Sequence, residues 1–327
     1  MRIDIQSDSR KVLPGDTFIA IKGIDRDGHD YIEKAIENGA TKIIAEHGNY
    51  SVETVIVDDT EKYLIDYLHE HYDSYISKLK LIGITGTNGK TTSAFLLHMA
   101  LNQLGKKTGY IGTVGFYVKD KIRSLDNTTP NLYTLYSIFL ECIEMGVEQV
   151  VLEVSSQAIC GNRVKGLLFD YAIFTNLTED HLDFHKTFEN YRKAKESLFY
   201  KTSRANIINI DDVNGRIILE NIKKLNVPCI TYGINYEATF TGKNVKLYED
   251  KTVFTLVGPD NFEQEITLNM VGQFTVYNAL ATICACYMLN MKMEEIIERI
   301  SKLRSVNGRF EKIENNKNSF LVLIVLH

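Results

Sequence analysis

The stretch Ile84-Thr85-Gly86-Thr87-Asn88-Gly89-Lys90-Thr91-Thr92 holds the residue types that grip a phosphate chain. Glycines let backbone N–H groups close around phosphate oxygens. A lysine reaches the outer phosphates, a threonine hydroxyl can hold Mg²⁺, and the N-terminus of a following helix favours negative charge. The usual spacing asks for a glycine where this chain has Ile84; Gly86 and Gly83 are the nearest. The loop is therefore a tightened variant of the phosphate-binding pattern. The plain alternative is a glycine-rich turn in an unrelated α/β protein, but Gly-Lys-Thr between an apolar strand and a helical pattern argues against it.

Other chemistry-bearing residues are less specific alone. Glu153 closes the apolar run Gln149–Val154, and a carboxylate at the C-terminal end of a strand lies on the ligand edge of a parallel sheet. His181 and His185 are four apart, so one helix would turn both the same way; however, the H-E-x-x-H zinc pattern is not matched and no third ligand is evident. Asn127-Thr128-Thr129-Pro130 by itself is a polar turn, Asp8-Ser9-Arg10 a turn or helix cap, Arg163 a solvated cation, and Lys195 one surface lysine among many.

These residues need elements to hold them. β-branched runs predict strands at Thr41–Ala45, Thr54–Val57, Lys80–Thr85, Gln149–Val154, Tyr171–Thr175 and Asn206–Ile210. Helical patterns are predicted over Thr91–Leu104, Phe274–Leu289 and Met293–Leu303, and an antiparallel pair over Thr252–Leu256 and Gln264–Val271. Alternating strands and helices imply βαβ units and a mostly parallel sheet. The acidic, Tyr-rich helical stretch Glu61–Lys78 puts a domain boundary near residue 79. Phe320–Val325 reads as a buried strand.

Composition narrows the setting. The 327 residues carry 37 Lys and Arg against 42 Asp and Glu, a net charge of −5, so general nucleic-acid binding is disfavoured. No apolar run has the length of a membrane span, and Met1–Asp8 has no signal-peptide pattern. Cys142, Cys160, Cys229, Cys284 and Cys286 are odd in number and form no C-x-x-C pair, which fits reduced thiols and a cytoplasmic location.

Taken with these residues, Thr85–Thr91 resembles the ATP loop of the Mur ligase family and its relatives, the folylpolyglutamate and cyanophycin synthetases. The run Ser7-Asp8-Ser9-Arg10 through Gly15-Asp16, Asp27-Gly28-His29 and Gly39-Ala40 looks like the N-terminal domain with which Mur ligases bind the UDP end of their substrate. Asn127–Pro130 and Asp183-Phe184-His185 are similar to the MurE type. Gly272-Gln273-Phe274 with Asn278-Ala279 resembles the adenine-side segment, and Gly308-Arg309-Phe310-Glu311 the turn that carries an ATP-binding arginine.

The resemblance implies an ATP site of Gly86, Thr87, Asn88, Gly89, Lys90, Thr91, Thr92, Asn278 and Arg309. It implies Mg²⁺ on Thr91, Glu153 and His181. Substrate would meet Ser9, Asn127, Thr128, Thr129, Ser155 and Arg163, with Ser9 at the uridine and Ile24 to Arg26 in the next loop that touches the nucleotide; the MurE pattern has Gln where this chain has Gly161. Lys195 would carry a carbamate formed with CO₂, which is chemically sound, because a lysine with a lowered pKa is neutral and nucleophilic and its carbamate is a hard oxygen donor. The activity implied is an ATP-dependent acid–amino-acid ligation. It adds meso-diaminopimelate or L-lysine to UDP-N-acetylmuramoyl-L-alanyl-D-glutamate through an acyl phosphate, in peptidoglycan synthesis.

The expected fold is α/β. It has a small UDP-binding domain at 1–79, a central P-loop-type domain at 80–314 with a mostly parallel sheet flanked by helices, and a remnant at 315–327. The family's Asp-Tyr-Ala-His and third, Rossmann-like domain would follow Phe320–Ile324, where this chain reads Val325-Leu326-His327. The expectation is a truncated monomer that does not ligate on its own and has no nucleic-acid or membrane partner. A non-catalytic protein that binds UDP-substrate or nucleotide, or another ligase of the superfamily, is the alternative.

Overall fold

A computed structural model describes residues 2–23, 26–303, 309–313 and 321–324, with side chains described as far as residue 303. Ile24, in the expected nucleotide loop, lies outside the described residues, as does the side chain of Arg309.

Contacts group the chain into two units: residues 1–78 with 132–145, and residues 79–131 with 146–327. In the first unit, strands β1 (Ile5–Gln6), β2 (Thr17–Ile19), β3 (Lys42–Ala45) and β4 (Glu53–Ile56) form an all-parallel sheet in the order β1-β2-β3-β4. Helix α1 (Ile32–Glu37) lies in the crossover from β2 to β3, and α2 (Thr60–Ile76) follows β4. Asp59 caps α2 by accepting from Lys62 N–H at 2.8 Å. Helix Leu132–Glu144 packs on α2, where the Tyr136 hydroxyl donates to the Asp73 carboxylate and lies 2.8 Å from His69 Nδ1.

The second unit begins with β5 (Lys80–Thr85) and α3 (Lys90–Gln103), followed by β6 (Thr108–Gly112), β7 (Gly115–Val118) and β8 (Lys121–Arg123). After Leu132–Glu144, now α4, come β9 (Gln149–Glu153), α5 (Ser156–Cys160), β10 (Phe169–Phe174), α6 (Leu182–His185), α7 (Phe188–Glu196) and β11 (Thr202–Asn209). Then follow α8 (Val213–Ile222), β12 (Cys229–Gly233), β13 (Phe240–Leu247), β14 (Thr252–Gly258), β15 (Phe262–Leu268), α9 (Gln273–Met288) and α10 (Met293–Lys302). Among the described residues, eleven strands pair in the order β15-β14-β13-β12-β11-β10-β5-β9-β6-β7-β8. The run from β13 through β6 is parallel, with antiparallel pairs at both ends.

Central strands buried on both faces need continuous apolar runs, and Leu81, Ile82 and Ile84 of β5 and Val150, Val151 and Leu152 of β9 provide them. Leu97 and Leu101 of α3 join Leu280 and Ile283 of α9 in one core with the sheet. Each fully buried leucine of this kind contributes roughly 1.5–3 kcal/mol. Because β5 is followed on one side by β9 and on the other by β10, chain order reverses around it. The crevice for a ligand in such a sheet lies beyond the carboxyl ends of the strands at that reversal.

Two further strands, β16 (Arg309–Ile313) and β17 (Leu321–Ile324), pair antiparallel. Arg309 to Glu311, expected in a turn, therefore start a strand. Among the described residues no helix is long and apolar enough to cross a membrane.

Candidate active site

The loop after β5 turns sharply because two of its glycines adopt positive φ: Gly86 at 152° and Gly89 at 81°. A Cβ on Gly86 would collide with the Thr175 hydroxyl, and one on Gly89 would lie 2.9 Å from Asn278 Oδ1. Gly89 caps α3, so Lys90 and Thr91 open the helix. The loop is anchored from the segment after β10. Thr87 N–H donates to Asn176 O at 2.9 Å, Asn88 N–H to Asn176 Oδ1 at 2.9 Å, and the Thr175 hydroxyl to Asn88 O at 2.6 Å. Asn176 and Thr175 thus shape the loop; spacing alone could not have revealed this, because the pairing of β5 with β10 creates the contact.

At the same sheet edge, register places Ile84 opposite Glu153. Glu153 is fully buried and accepts from several neutral donors. The Thr91 hydroxyl (2.8 Å) and the Thr113 hydroxyl (3.3 Å) meet Oε2; the Tyr110 hydroxyl (2.5 Å) and Thr113 N–H (3.0 Å) meet Oε1. A carboxylate and a threonine hydroxyl joined in this way are hard oxygen donors of the kind Mg²⁺ takes. Among the described residues, no group of three or more His, Cys, Asp or Glu could hold a metal ion. Of the residues expected to hold Mg²⁺, Thr91 and Glu153 are the two that meet, and their oxygens fit that ion.

Several of the residues expected to meet substrate form a strip beside Glu153. The Thr129 hydroxyl donates to Glu153 O (2.7 Å) and accepts from Ser155 N–H (3.0 Å), and Arg163 Nη1 donates to Thr129 O at 3.0 Å. Ser155 caps α5 by accepting from Ala158 N–H at 3.1 Å. Thr129 is wholly buried, so its hydroxyl pins the strip, and the exposed part of this stretch is Asn127 with the half-buried Thr128. Thr128 Oγ1 lies 3.0 Å from Thr113 Oγ1.

Lys195, on α7, is 1% exposed and donates to Gly86 O at 2.8 Å. Its ammonium lies 4.6 Å from the centroid of the Tyr191 ring. Burial, reinforced by the charge of Lys90, holds its pKa well below the usual lysine range, against a smaller opposite pull from Asp180. The surface placement expected from raw sequence is overturned: α7 turns this lysine inward. Lys90 donates to Gly86 O and Thr87 O, both at 2.9 Å. Asn278 accepts from the Ser93 hydroxyl of α3 at 3.0 Å, which ties α9 to the loop helix.

The two histidines do not share a helix face. His181 has φ 52° and precedes the four-residue α6, with its Nε2 3.5 Å from Asp180. His185 is buried with Nε2 2.9 Å from Ser156 Oγ, and burial, followed by Lys195 and His181, lowers its pKa. His181 reaches the site's surroundings through Tyr191, whose ring it meets edge-on at 6.2 Å; the Tyr191 hydroxyl lies 3.2 Å from Thr87 Oγ1.

Ser9 belongs to the other unit. It sits in a short 3₁₀ turn that Asp8 caps by accepting from Arg10 N–H at 3.1 Å. With Arg10, Arg26, Tyr31 and Lys34 it lines a cavity of about 500 Å³. A bidentate pair with Arg10 lowers the Asp8 pKa.

Residues 84–286 match the Mur ligase middle domain, and residues 4–70 match the Mur ligase family, catalytic domain. The UDP-N-acetylmuramoyl-L-alanyl-D-glutamate–2,6-diaminopimelate ligase of Clostridioides difficile (strain 630) is 42% identical over 326 residues, covering 99% of this chain and 67% of that relative. A solved structure of a ligase of the same name superposes with a TM-score of 0.81 at 24% identity, over 96% of this chain and 65% of the other. The MurF ligase of Thermotoga maritima in complex with ADP superposes at 0.71 with 22% identity, over 98% and 70%. The chain spans about two thirds of the length of the curated relatives it matches. With its phosphate loop, the carboxylate beside it and a matching N-terminal unit, the chain belongs to the Mur ligase family.

Proposed function

We propose that this chain serves the ATP-dependent addition of a diamino acid, 2,6-diaminopimelate, to UDP-N-acetylmuramoyl-L-alanyl-D-glutamate, in the cytoplasm and as a step of peptidoglycan synthesis. The observation that carries the reading is the contact between Thr91 of the loop and Glu153 on the neighbouring strand, with Lys90 one residue away. The name of the Clostridioides relative supports the choice of substrates.

A carboxylate does not condense with an amine in water, because its oxygen is a poor leaving group. In the proposed reaction the substrate carboxylate attacks the γ-phosphorus of ATP, ADP leaves, and an acyl phosphate forms. The amine then attacks the acyl carbon and inorganic phosphate departs. Lys90 and the loop N–H groups bind the phosphates and hold the γ-phosphoryl in line. Thr91 and Glu153, together with His181, would hold Mg²⁺, which would neutralise charge on the phosphate oxygens. Lys195 carries a carbamate in the working state, made by attack of its neutral amine on CO₂ with loss of one proton. Arg163 and Ser155 face the peptide end of the substrate, together with Asn127 and Thr128. Asn278 serves the adenine side, while Ser9 and Arg26 bind the uridine diphosphate.

Titration with ATP–Mg²⁺ and with the UDP-dipeptide tests this reading. Lys90→Ala is expected to weaken ATP binding by ~10–100-fold, the loss of charge-assisted hydrogen bonds, and to leave UDP-dipeptide binding unchanged. Equal ATP affinity in wild type and variant overturns the nucleotide site. ATP binding without UDP-dipeptide binding points to another ligase of the superfamily.

A further inference from the structure

We infer that Tyr110 is a positioning residue for the divalent cation: by occupying one oxygen of Glu153 it makes that carboxylate a single-oxygen ligand and so favours Mg²⁺ over Ca²⁺. The inference rests on the assignment of Glu153 to the cation made above.

A carboxylate offers about four acceptor sites, two on each oxygen. On Oε1 both are taken by donors with no freedom to turn away. Thr113 N–H, at 3.0 Å, is fixed by the backbone between β6 and β7. The Tyr110 hydroxyl, at 2.5 Å, is carried on a fully buried ring packed edge-on against Phe95 (5.2 Å between centroids) and Tyr117 (5.8 Å). There is no room for an ion on that side. A single carbon added at Gly112 would collide with both Glu153 Oε1 and the Tyr110 hydroxyl.

Oε2 differs in kind. Its partners are the hydroxyls of Thr91 and Thr113, which rotate and can accept as well as donate. Both can give up this oxygen to a cation, and Thr91 can itself become a ligand. Thr113 is exposed, so its hydroxyl can turn to solvent and leave Oε2 open. Ca²⁺ takes six to eight oxygens in a flexible shell that often includes bidentate carboxylates, whereas Mg²⁺ demands a near-octahedral shell. Locking Oε1 withholds the bidentate mode and costs Mg²⁺ nothing. Tyr110 thus acts on the cation through Glu153 without touching it.

The test titrates ATP into the full chain and its Tyr110→Phe variant in Mg²⁺, in Ca²⁺ and in EDTA, with thermal melting of each protein. Phe keeps the ring in its aromatic surroundings and removes only the hydroxyl. The expected result is an ATP affinity that falls ~10-fold or more in Mg²⁺, the usual cost of losing an outer-shell partner, with no change in EDTA. In Ca²⁺ the affinity is expected to fall less or to rise, so that the Mg²⁺/Ca²⁺ ratio narrows by about tenfold. Gly112→Ala, which crowds the same pair of oxygens, is the second variant and is expected to narrow the ratio as well. An unchanged ratio in both variants overturns the inference while leaving the cation assignment standing. Wild-type protein that binds ATP equally well in Mg²⁺ and in EDTA overturns the assignment, and the inference with it.

Discussion

Lys90 and Lys195 donate to the same carbonyl oxygen, that of Gly86, at 2.9 and 2.8 Å. Burial, and after it the repulsion between the two positive charges, holds the Lys195 pKa well below the usual lysine range. Both effects favour the neutral, nucleophilic form of Lys195 at the foot of the loop. In ¹³C-labelled bicarbonate, the wild-type protein is expected to show a carbamate carbon signal by NMR that Lys195→Ala lacks. A signal of equal strength in the variant would place the carbamate on another amine.

Gly86 combines a positive φ with a side that abuts the Thr175 hydroxyl. Gly86→Ala is expected to cost ~1–3 kcal/mol of stability from backbone strain alone, with more from the collision. Since the same carbonyl receives both lysines, ATP binding should fall further than stability does. Denaturant melts and ATP titration on one preparation separate the two effects, and a variant with wild-type values in both would refute the crowding argument.

Buried His98 has its pKa pushed down to about 4 from the ordinary 6.5, chiefly by burial. Above pH 6.5 the folded and unfolded chains are both neutral at this residue. Between pH 6.5 and 4 the unfolded chain binds a proton that the folded one refuses, so stability falls as pH falls, by about 3 kcal/mol over the whole window. His98→Leu should flatten that acid slope. Chemical denaturation at a series of pH values between 7 and 4 measures it, and parallel slopes for both proteins would reject the assignment.

In the N-terminal unit, Arg26 and Lys34 line the same cavity as Ser9. Arg26→Ala is expected to weaken UDP binding to the full chain by about tenfold while leaving uridine binding nearly unchanged, because a guanidinium acts on the diphosphate. Ser9→Ala should weaken both ligands alike. Titrations with UDP and with uridine at two salt concentrations check this. A loss for UDP that does not shrink at high salt would remove Arg26 from the phosphates.

Local signals carried far in the sequence. Strand Lys80–Thr85, the glycine-rich loop and the helix behind it are legible because turn chemistry, apolar runs and helix starts are short-range. So was the mostly parallel sheet, and Gln149–Glu153 with its terminal carboxylate. The surroundings of that carboxylate were not legible. Tyr110 and Thr113 reach Glu153 across about forty residues of chain, and only strand order brings them there. The histidine pair is the opposite case: spacing of four implies a shared face only when both residues are helical, and the φ of His181 puts it outside the helix. Lys195 looked like any surface lysine, because its burial is set by which face α7 turns inward.

Helix α4 has one more consequence. Its neighbours in sequence belong to the second unit, yet it is grouped with the first, so the backbone passes between the units after Lys78, before Leu132 and after Met145. A gene segment ending at residue 78 would encode the four-stranded sheet and α2 but leave behind the tyrosine that bonds to Asp73. The N-terminal part is therefore not a cassette that recombination could lift out at one junction. Transplanting the first unit into another chain of this family would require moving two separate stretches of the reading frame together.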